Sequence, residues 1–271
     1  RSLATLSATG SRKVQAGFEP LVPGFVRVPL NDLDAVRAVA ERDPNVVAVL
    51  VEPIQGEGGI HVSRLDYLRG LRELCDKHRW LLMADEIQCG LGRTGKWFMY
   101  QQAGIVPDVV ALAKGLAGGV PVGACVTGGR AKGVFKPGNH GSTFGGGPLA
   151  MAALCATIET MQKDGLLANA ERVGQSIRDG LAKALAGVAG VKDIRGLGLM
   201  IGIELDQPCG DLVKTALAGG VVLNVTHDTV IRLLPPLVMS EAEGRELVDR
   251  LAPMIRELLA GAAQPKAAAA R

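Results

Sequence analysis

Residues 45–85 read NVVAVLVEPIQGEGGIHVSRLDYLRGLRELCDKHRWLLMAD, and this stretch decides the fold class. It begins with a valine-rich run at 45–52 and ends with a second apolar run at 80–85. Between them, four leucines recur at intervals of three from 65 to 74, with charged residues in the gaps. Continuous apolar runs predict buried strands, and the leucine spacing predicts an amphipathic helix over about 64–77. The strand–helix–strand order predicts an α/β fold with a mainly parallel sheet.

The same alternation continues outward from this stretch. Further strands are predicted at 108–113 and 122–127, and helices at 148–161 and 168–185. After residue 188 the pattern changes to short strands at 191–195, 199–205, 221–225 and 230–234, with helices at 211–217 and 241–259. We therefore predict two units: residues 1–165, part of a large domain, and residues 166–271, a smaller C-terminal α+β domain.

Composition excludes several classes of function. The net charge is only +3 and no basic stripe occurs, so nucleic acid is not expected as a partner. No apolar run is long enough to predict a membrane span. The five cysteines are dispersed and the four histidines lie far apart, which predicts neither a disulfide framework nor a metal site. This cysteine usage favours a reducing compartment, and we expect the cytoplasm.

Charged side chains follow three of the predicted strands. Glu52 and Asp85 end two of them, and Lys114 directly follows a third. In open α/β sheets the carboxyl edge of the strands is where ligands bind. Apolar neighbours predict that the Lys114 amine is partly desolvated, which favours its neutral, nucleophilic form. Taken singly, a solvated lysine and a turn acid remain open alternatives.

The combination of motifs is more specific than any one of them. MADEIQCG at 83–90, GRTG at 92–95 and AKG at 113–115 together resemble the class III (ω-amino) aminotransferases, which use pyridoxal phosphate (PLP) and have PLP fold type I. The spacing of Asp85 and Lys114 also fits that family. The resemblance implies that Lys114 is the Schiff-base lysine, that Asp85 faces the pyridine nitrogen of PLP, and that the enzyme is a homodimer. Glu86 points elsewhere because it neighbours Asp85.

Other cofactor contacts follow from the resemblance. Gln88 matches the residue beside the phenolic oxygen of the cofactor, with an exposed loop amide as the alternative. Ser142 and Thr143 lie in the segment GSTFGGGP at 141–148, and Thr143 matches the residue that reaches the cofactor phosphate across the dimer interface. Backbone amides and a hydroxyl beside a helix start suit a phosphate. Gly147 stands where the family usually has asparagine.

Substrate contacts are implied in the same way. Glu57 and Arg232 match a pair in which the arginine binds the α-carboxylate of glutamate, and the glutamate side chain neutralises the arginine when the amino donor is bound. A simple interdomain salt bridge is the alternative. Arg1 matches an arginine that holds a substrate carboxylate, and Glu52 matches a strand-end acid of the family. Arg195 is interpreted as part of the small-domain architecture, without a catalytic role.

Further segments, at 1–10, 96–98, 224–226 and 231–236, resemble the branch of the family that serves arginine biosynthesis. They imply transfer of the ω-amino group of N-acetylornithine to 2-oxoglutarate, giving N-acetylglutamate semialdehyde and glutamate. Succinyldiaminopimelate, ornithine and 4-aminobutyrate remain open as donors. So do a PLP mutase or decarboxylase on the same fold and a cofactor-free binding module.

The first residue is Arg1 rather than an initiator methionine. We expect a preceding part that carries the aromatic residue stacked on the pyridine ring and the rest of the phosphate cup. Residues 1–271 alone are accordingly expected to bind PLP poorly and to be inactive.

Overall fold

The strand–helix alternation predicted around residues 45–127 is present in a computed structural model, which describes residues 2–262. Eight α-helices lie in that part of the chain: α1 Leu3–Ala8, α2 Arg12–Gln15, α3 Leu33–Arg42, α4 Leu65–His78, α5 Pro148–Lys163, α6 Leu166–Ala184, α7 Leu212–Ala218 and α8 Glu241–Ala262. The ten strands among the same residues are β1 Ala48–Val51, β2 Ile54–Gln55, β3 His61–Val62, β4 Leu81–Asp85, β5 Val109–Leu112, β6 Ala124–Thr127, β7 Val191–Leu197, β8 Met200–Leu205, β9 Asn224–Thr226 and β10 Val230–Leu233.

The first sheet has the strand order β1-β4-β5-β6. Strand β4 pairs in parallel with β1 and with β5, whereas β6 is antiparallel to β5. The predicted mainly parallel sheet in an α/β fold is therefore confirmed. Because β1, β4 and β5 run in the same direction, the residues that end or follow them meet at one edge of the sheet.

Helix α4 covers this sheet with the leucine stripe predicted from the sequence. Leu68 and Leu71 are fully buried, and they share a core with Trp80 and Leu82. The helix ends at Arg79, whose backbone is left-handed (φ 58°) and whose N–H closes the last turn. Helix α3 was not predicted, although Asp32 caps it by accepting the N–H of Ala35 at 2.9 Å.

The second sheet is antiparallel throughout, in the order β7-β8-β10-β9. Helices α6 and α8 cover it, and the core is built from buried aliphatic side chains between residues 170 and 255. The strand predicted at 221–225 is wrong in position. Val221 instead closes the end of α7 through its N–H to Ala216, and β9 starts only at Asn224. The link from α5 to α6 is two residues long; the division near residue 165 stays a prediction.

Glycines allow two close approaches at the β7–β8 turn. An ideal Cβ on Gly174 of α6 would lie 1.9 Å from the carbonyl oxygen of Gly198, in the β7–β8 turn. A Cβ on Gly198 would in turn lie 2.4 Å from the carbonyl oxygen of Arg93. Leu199 donates its N–H to that same carbonyl at 2.9 Å. The β7–β8 turn is therefore held between α6 and the loop that follows β4.

Candidate active site

Three of the predicted site residues lie at the carboxyl edge of the first sheet. Glu52 follows β1, Asp85 ends β4 and Lys114 follows β5. Asp85 is half-buried, and one of its carboxylate oxygens accepts the N–H of Ile87 at 3.0 Å. Glu52 accepts the N–H of Gly56 at 2.9 Å. The charges of Asp85 and Lys114 both act on Glu52, so the three groups form one electrostatic cluster.

Lys114 differs from the sequence prediction in one respect. Its side chain is exposed rather than partly desolvated, because the residues after it form a 3₁₀ turn and a glycine-rich loop that do not cover it. Its backbone is left-handed, with φ 52°. A left-handed lysine is uncommon and stores backbone strain, a condition that clusters at functional sites. Nothing in the local sequence signals this conformation.

Glu57 and Arg232 form the predicted ion pair, with 2.6 Å between Oε1 and a terminal guanidinium nitrogen. The two side chains differ in environment: 10% of the Arg232 side chain is exposed, against 74% for Glu57. The hydrogen bond from Arg232 is the main cause that lowers the pKa of Glu57, and the positive charge of Lys114 adds to it. Glu57 is therefore ionised at neutral pH and lies within electrostatic reach of both cations.

Gln88 and Asn224 complete the surroundings of Arg232. Gln88 Oε1 accepts from the same nitrogen as Glu57, at 3.3 Å, and Asn224 Oδ1 accepts from the other terminal nitrogen at 2.8 Å. A Cβ on Gly56 would lie 2.2 Å from Gln88 Oε1, so only glycine admits the amide there. The role of Asn224 was missed by sequence reasoning. The register of β9 against β10, which places Asn224 opposite Arg232, is the signal that identifies it.

The pKa of Glu52 is raised. The main cause is desolvation of the carboxyl group by surrounding protein atoms, although part of the side chain still contacts solvent. The nearby Asp85 carboxylate raises the pKa further, and the hydrogen bond from Gly56 lowers it. With a raised pKa, Glu52 keeps a proton to higher pH than an ordinary surface glutamate does.

A cavity of about 510 Å³ adjoins the cluster. Lys114 and Gln88 line it, together with Arg93 and residues of α5, whereas Asp85, Glu57 and Arg232 are not among its lining residues. Arg93 is partly buried, and desolvation lowers its pKa to about 10. Its guanidinium donates to the carbonyls of Leu199 and Pro235, which joins the loop after β4 to the second unit.

Ser142 and Thr143 are not brought to Lys114 within one chain. Both are exposed, and neither lines the cavity. The Ser142 hydroxyl accepts the N–H of Gly145 at 3.0 Å, which stabilises the loop before α5. Gly147 has a negative φ (−58°), and an added Cβ would lie 3.4 Å from the carbonyl oxygen of Phe144, an ordinary contact, so nothing there requires glycine. Arg1 lies outside the described residues.

Glu86 points away from the cluster, as expected from its neighbour. It is fully buried, and its carboxylate accepts the backbone N–H groups of Met99 and Tyr100 at 3.0 and 2.9 Å. Cys89 donates its thiol to the same carboxylate at 3.2 Å and packs in the core. Glu86 therefore stabilises the loop that carries Gln88 and is not a member of the exposed cluster.

The residues at this edge suit PLP. Within residues 2–262, one oxygen of Asp85 is held by Ile87 while no hydrogen bond engages the other, which leaves an acceptor for a pyridinium N–H. The Lys114 amine makes no salt bridge with any described side chain, and so it is available for a covalent bond. Among the same residues, no group of three or more His, Cys, Asp or Glu side chains is arranged to bind a metal. Nor is any helix there long and apolar enough to cross a bilayer.

An α/β fold with this cluster at the carboxyl edge of its parallel strands matches a known protein family. The sequence matches the Aminotransferase class-III family over residues 1–255, and the chain belongs to that family.

Among curated relatives, acetylornithine aminotransferase 1 of Bordetella bronchiseptica is 56% identical over 260 residues, covering 96% of this chain and 66% of the relative. Acetylornithine aminotransferase of Nitrosomonas europaea is 52% identical over 255 residues, covering 94% and 65%. This chain thus spans slightly less than two thirds of the length of these relatives.

Solved structures agree with this assignment. The ornithine aminotransferase of Toxoplasma gondii, solved with partial occupancy of PLP at its active site, superposes with a TM-score of 0.92 at 36% identity, covering 97% of this chain and 63% of that one. The acetylornithine aminotransferase of Elizabethkingia anophelis gives a TM-score of 0.82 at 38% identity, covering 87% and 63%.

Proposed function

We propose that this chain provides the lysine and the carboxylate-binding switch of an enzyme that transfers the ω-amino group of N-acetylornithine to 2-oxoglutarate. The observation that carries the proposal is the grouping of Lys114, Asp85 and the Glu57–Arg232 pair at one sheet edge. The relatives that are 52% and 56% identical support this donor by their names.

PLP, when bound, supplies the electron sink that lets a C–H bond of the amino substrate ionise. Asp85 would hold the pyridine nitrogen in its protonated form through the oxygen that Ile87 leaves free. Lys114 would bind the cofactor covalently and, once displaced by the substrate amine, would carry the proton on Nζ between substrate and cofactor carbons. Gln88 would lie beside the phenolic oxygen.

Arg232 and Glu57 account for two unlike substrates in one site. When glutamate or 2-oxoglutarate binds, the guanidinium fork of Arg232 would bind the carboxylate next to the reacting carbon. When N-acetylornithine binds through its ω-amine, no carboxylate lies there, and Glu57 would neutralise the arginine instead. A mutase or a decarboxylase has no need of this exchange, so the pair favours transamination over those reactions.

Ornithine is the second candidate donor, because ornithine aminotransferases are among the structural neighbours at 36% identity. 4-Aminobutyrate differs from N-acetylornithine only in the part of the molecule remote from the reacting amine, whereas the reacting carbon of succinyldiaminopimelate also carries a carboxylate. Comparing kcat/KM for the four donors with the full-length enzyme ranks them directly. N-acetylornithine is expected to give the highest value, and a higher value for any other donor would reassign the substrate.

A second copy of the chain is the partner we propose. Phe135 and Phe144 in the loop before α5 are exposed, and so is Leu149 in the first turn of α5; Phe144 is 91% and Leu149 78% exposed. Large apolar side chains grouped on one surface mark interaction sites. In a homodimer, Thr143 and Ser142 of that loop would reach the phosphate of the neighbouring site.

The free thiols of buried Cys75, Cys89 and Cys209 support a cytoplasmic location.

Borohydride reduction of the full-length protein with PLP, followed by peptide mapping, tests the proposal. Reduction fixes the cofactor on the lysine that holds it, and the pyridoxyl group is expected on Lys114. A Lys114→Ala variant should lose both the adduct and transamination, whereas the matched control Lys96→Ala, at another exposed lysine, should keep both. An adduct on another lysine, or none in the full-length protein, would refute the assignment.

A further inference from the structure

Four residues form one row across the second sheet. Arg195 on β7 is opposite Gly202 on β8, Gly202 is opposite Arg232 on β10, and Arg232 is opposite Asn224 on β9. Side chains at directly paired positions project from the same face of a sheet. The row therefore presents two arginines to that face, separated by a position without a side chain.

The loop that follows Glu57 docks into this row. Ile60 is fully buried, and a Cβ on Gly202 would lie 2.9 Å from its Cβ, so the glycine makes room for it. Arg195 donates to the carbonyl of Ile60 at 3.0 Å and, through two nitrogens, to that of Gly59 at 3.1 and 2.6 Å. Ile60 has a left-handed backbone (φ 56°), which is costly for a β-branched residue. Such a conformation persists only where the surroundings enforce it.

A third contact fixes the backbone of Glu57 itself. The hydroxyl of Thr226, on β9, donates to the carbonyl oxygen of Glu57 at 2.5 Å. Thr226 is 6% exposed and lies two residues beyond Asn224, on the same face of the sheet. Its hairpin turns through three residues, His227, Asp228 and Thr229, of which the first two have positive φ.

We propose that Thr226 is a positioning residue for the Glu57–Arg232 switch. Arg232 and Thr226 are fixed to the same sheet, so the hydroxyl sets the Glu57 backbone at a constant distance from the arginine that its carboxylate must reach. The inference rests on the proposed function, because it concerns how that site discriminates between its two substrates.

The consequence is a shift of opposite sign in the two half-reactions. A bound 2-oxoglutarate carboxylate must displace Glu57 from Arg232, so a weaker hold on Glu57 favours the acceptor. The donor needs Arg232 neutralised, so the same change disfavours N-acetylornithine. One hydrogen bond of this kind corresponds to a change of about two- to tenfold in each half-reaction. General damage to the site would lower both.

Single-turnover measurements on the full-length enzyme test the role of Thr226, with the PLP form mixed with the donor and the pyridoxamine-phosphate form mixed with the acceptor. Thr226→Val removes the hydroxyl at nearly constant volume, Thr226→Ser keeps it, and Thr226→Ala avoids the branched side chain if the valine variant does not fold. Thr229→Val is the matched control, because the Thr229 hydroxyl bonds only within its own turn, to His227.

The valine and alanine variants are expected to show a lower acceptor Kd together with a lower donor kcat/KM, while the serine and Thr229 variants match wild type. Parallel losses in both half-reactions, or no change in either, would overturn the role of Thr226. A wild-type enzyme that lacks the two half-reactions would instead refute the proposed function, and the two failures are distinguishable.

Discussion

Replacing Glu57 by glutamine removes the charge that faces Arg232 but keeps an oxygen that can accept its hydrogen bond. The pair is close, with 2.6 Å between the charged atoms, and Arg232 is largely buried while Glu57 is largely exposed. In Glu57→Gln the arginine stays in place, held by Asn224 and Gln88. The variant therefore isolates the effect of charge on substrate binding.

The exposure of Glu57 determines how strongly the substitution should change the binding of 2-oxoglutarate. Two unit charges about 4 Å apart interact by about 1 kcal/mol in water and about 4 kcal/mol at an effective dielectric constant near 20. Since 74% of the Glu57 side chain is exposed, the lower figure applies, as it does for solvent-exposed ion pairs. We expect 2-oxoglutarate to bind about fivefold more tightly to Glu57→Gln. The donor half-reaction should slow, because Arg232 then faces an uncharged part of N-acetylornithine without a counter-charge.

Stopped-flow absorbance of the bound cofactor measures the two half-reactions separately. Glu73→Gln is the matched control, since it makes the same chemical change at an exposed position of α4. That control should leave both half-reactions unchanged. Unaltered selectivity in Glu57→Gln, with donor and acceptor parameters equal to wild type, would show that the pair is a structural salt bridge and not a switch.

Three further outcomes are expected. Because the Arg232 hydrogen bond lowers the pKa of Glu57, the ion pair persists at neutral pH and is lost only as the pH falls below the ordinary glutamate range. The KM for the acceptor should therefore stay level between about pH 6 and 8. A drop in this KM within that range would contradict the prediction. Because the pKa of Glu52 is raised in the folded protein, its negative charge destabilises the fold at neutral pH. Glu52→Gln should therefore raise the free energy of unfolding, by less than about 1 kcal/mol because solvent screens the group. A melting temperature below that of the wild type would refute this prediction. Gly174→Ala gains about 1 kcal/mol of helix propensity, but its Cβ would lie 1.9 Å from a carbonyl oxygen, so a clear loss in urea denaturation is expected; stabilisation would show that the β7–β8 turn can move.

The sequence predicted those helices and strands in which buried apolar residues recur at regular intervals. Strand β4 and helix α4 were found because Leu82, Leu68 and Leu71 belong to long, regular apolar patterns that only a buried position explains. Helix α3 was missed because Val36 is its only buried residue, so the pattern is weak. Strand β9 was misplaced because the apolar run before it does not pair in the sheet: Val221 is buried where it closes the end of α7, and Val222 is exposed.

The motifs predicted the position of Lys114 at the end of β5 and the contact between Glu57 and Arg232. The site was not predictable where the contact depends on tertiary register. Asn224 and Thr226 reach the switch only because β9 pairs with β10. Arg195, interpreted as architecture alone, turns out to hold the loop behind Glu57. The exposure of Lys114 was also not predicted, because the residues next to it in sequence do not show which side chains a turn leaves accessible to solvent.

The left-handed backbone of Lys114 has a consequence for engineering. A non-glycine residue held in this conformation costs about 1 kcal/mol, which glycine would relieve. Selection of variants for thermal stability alone would therefore enrich glycine at position 114 and discard the amine. Heat resistance and chemistry oppose each other at this residue, so a stabilised enzyme has to be sought through substitutions elsewhere, with position 114 held constant.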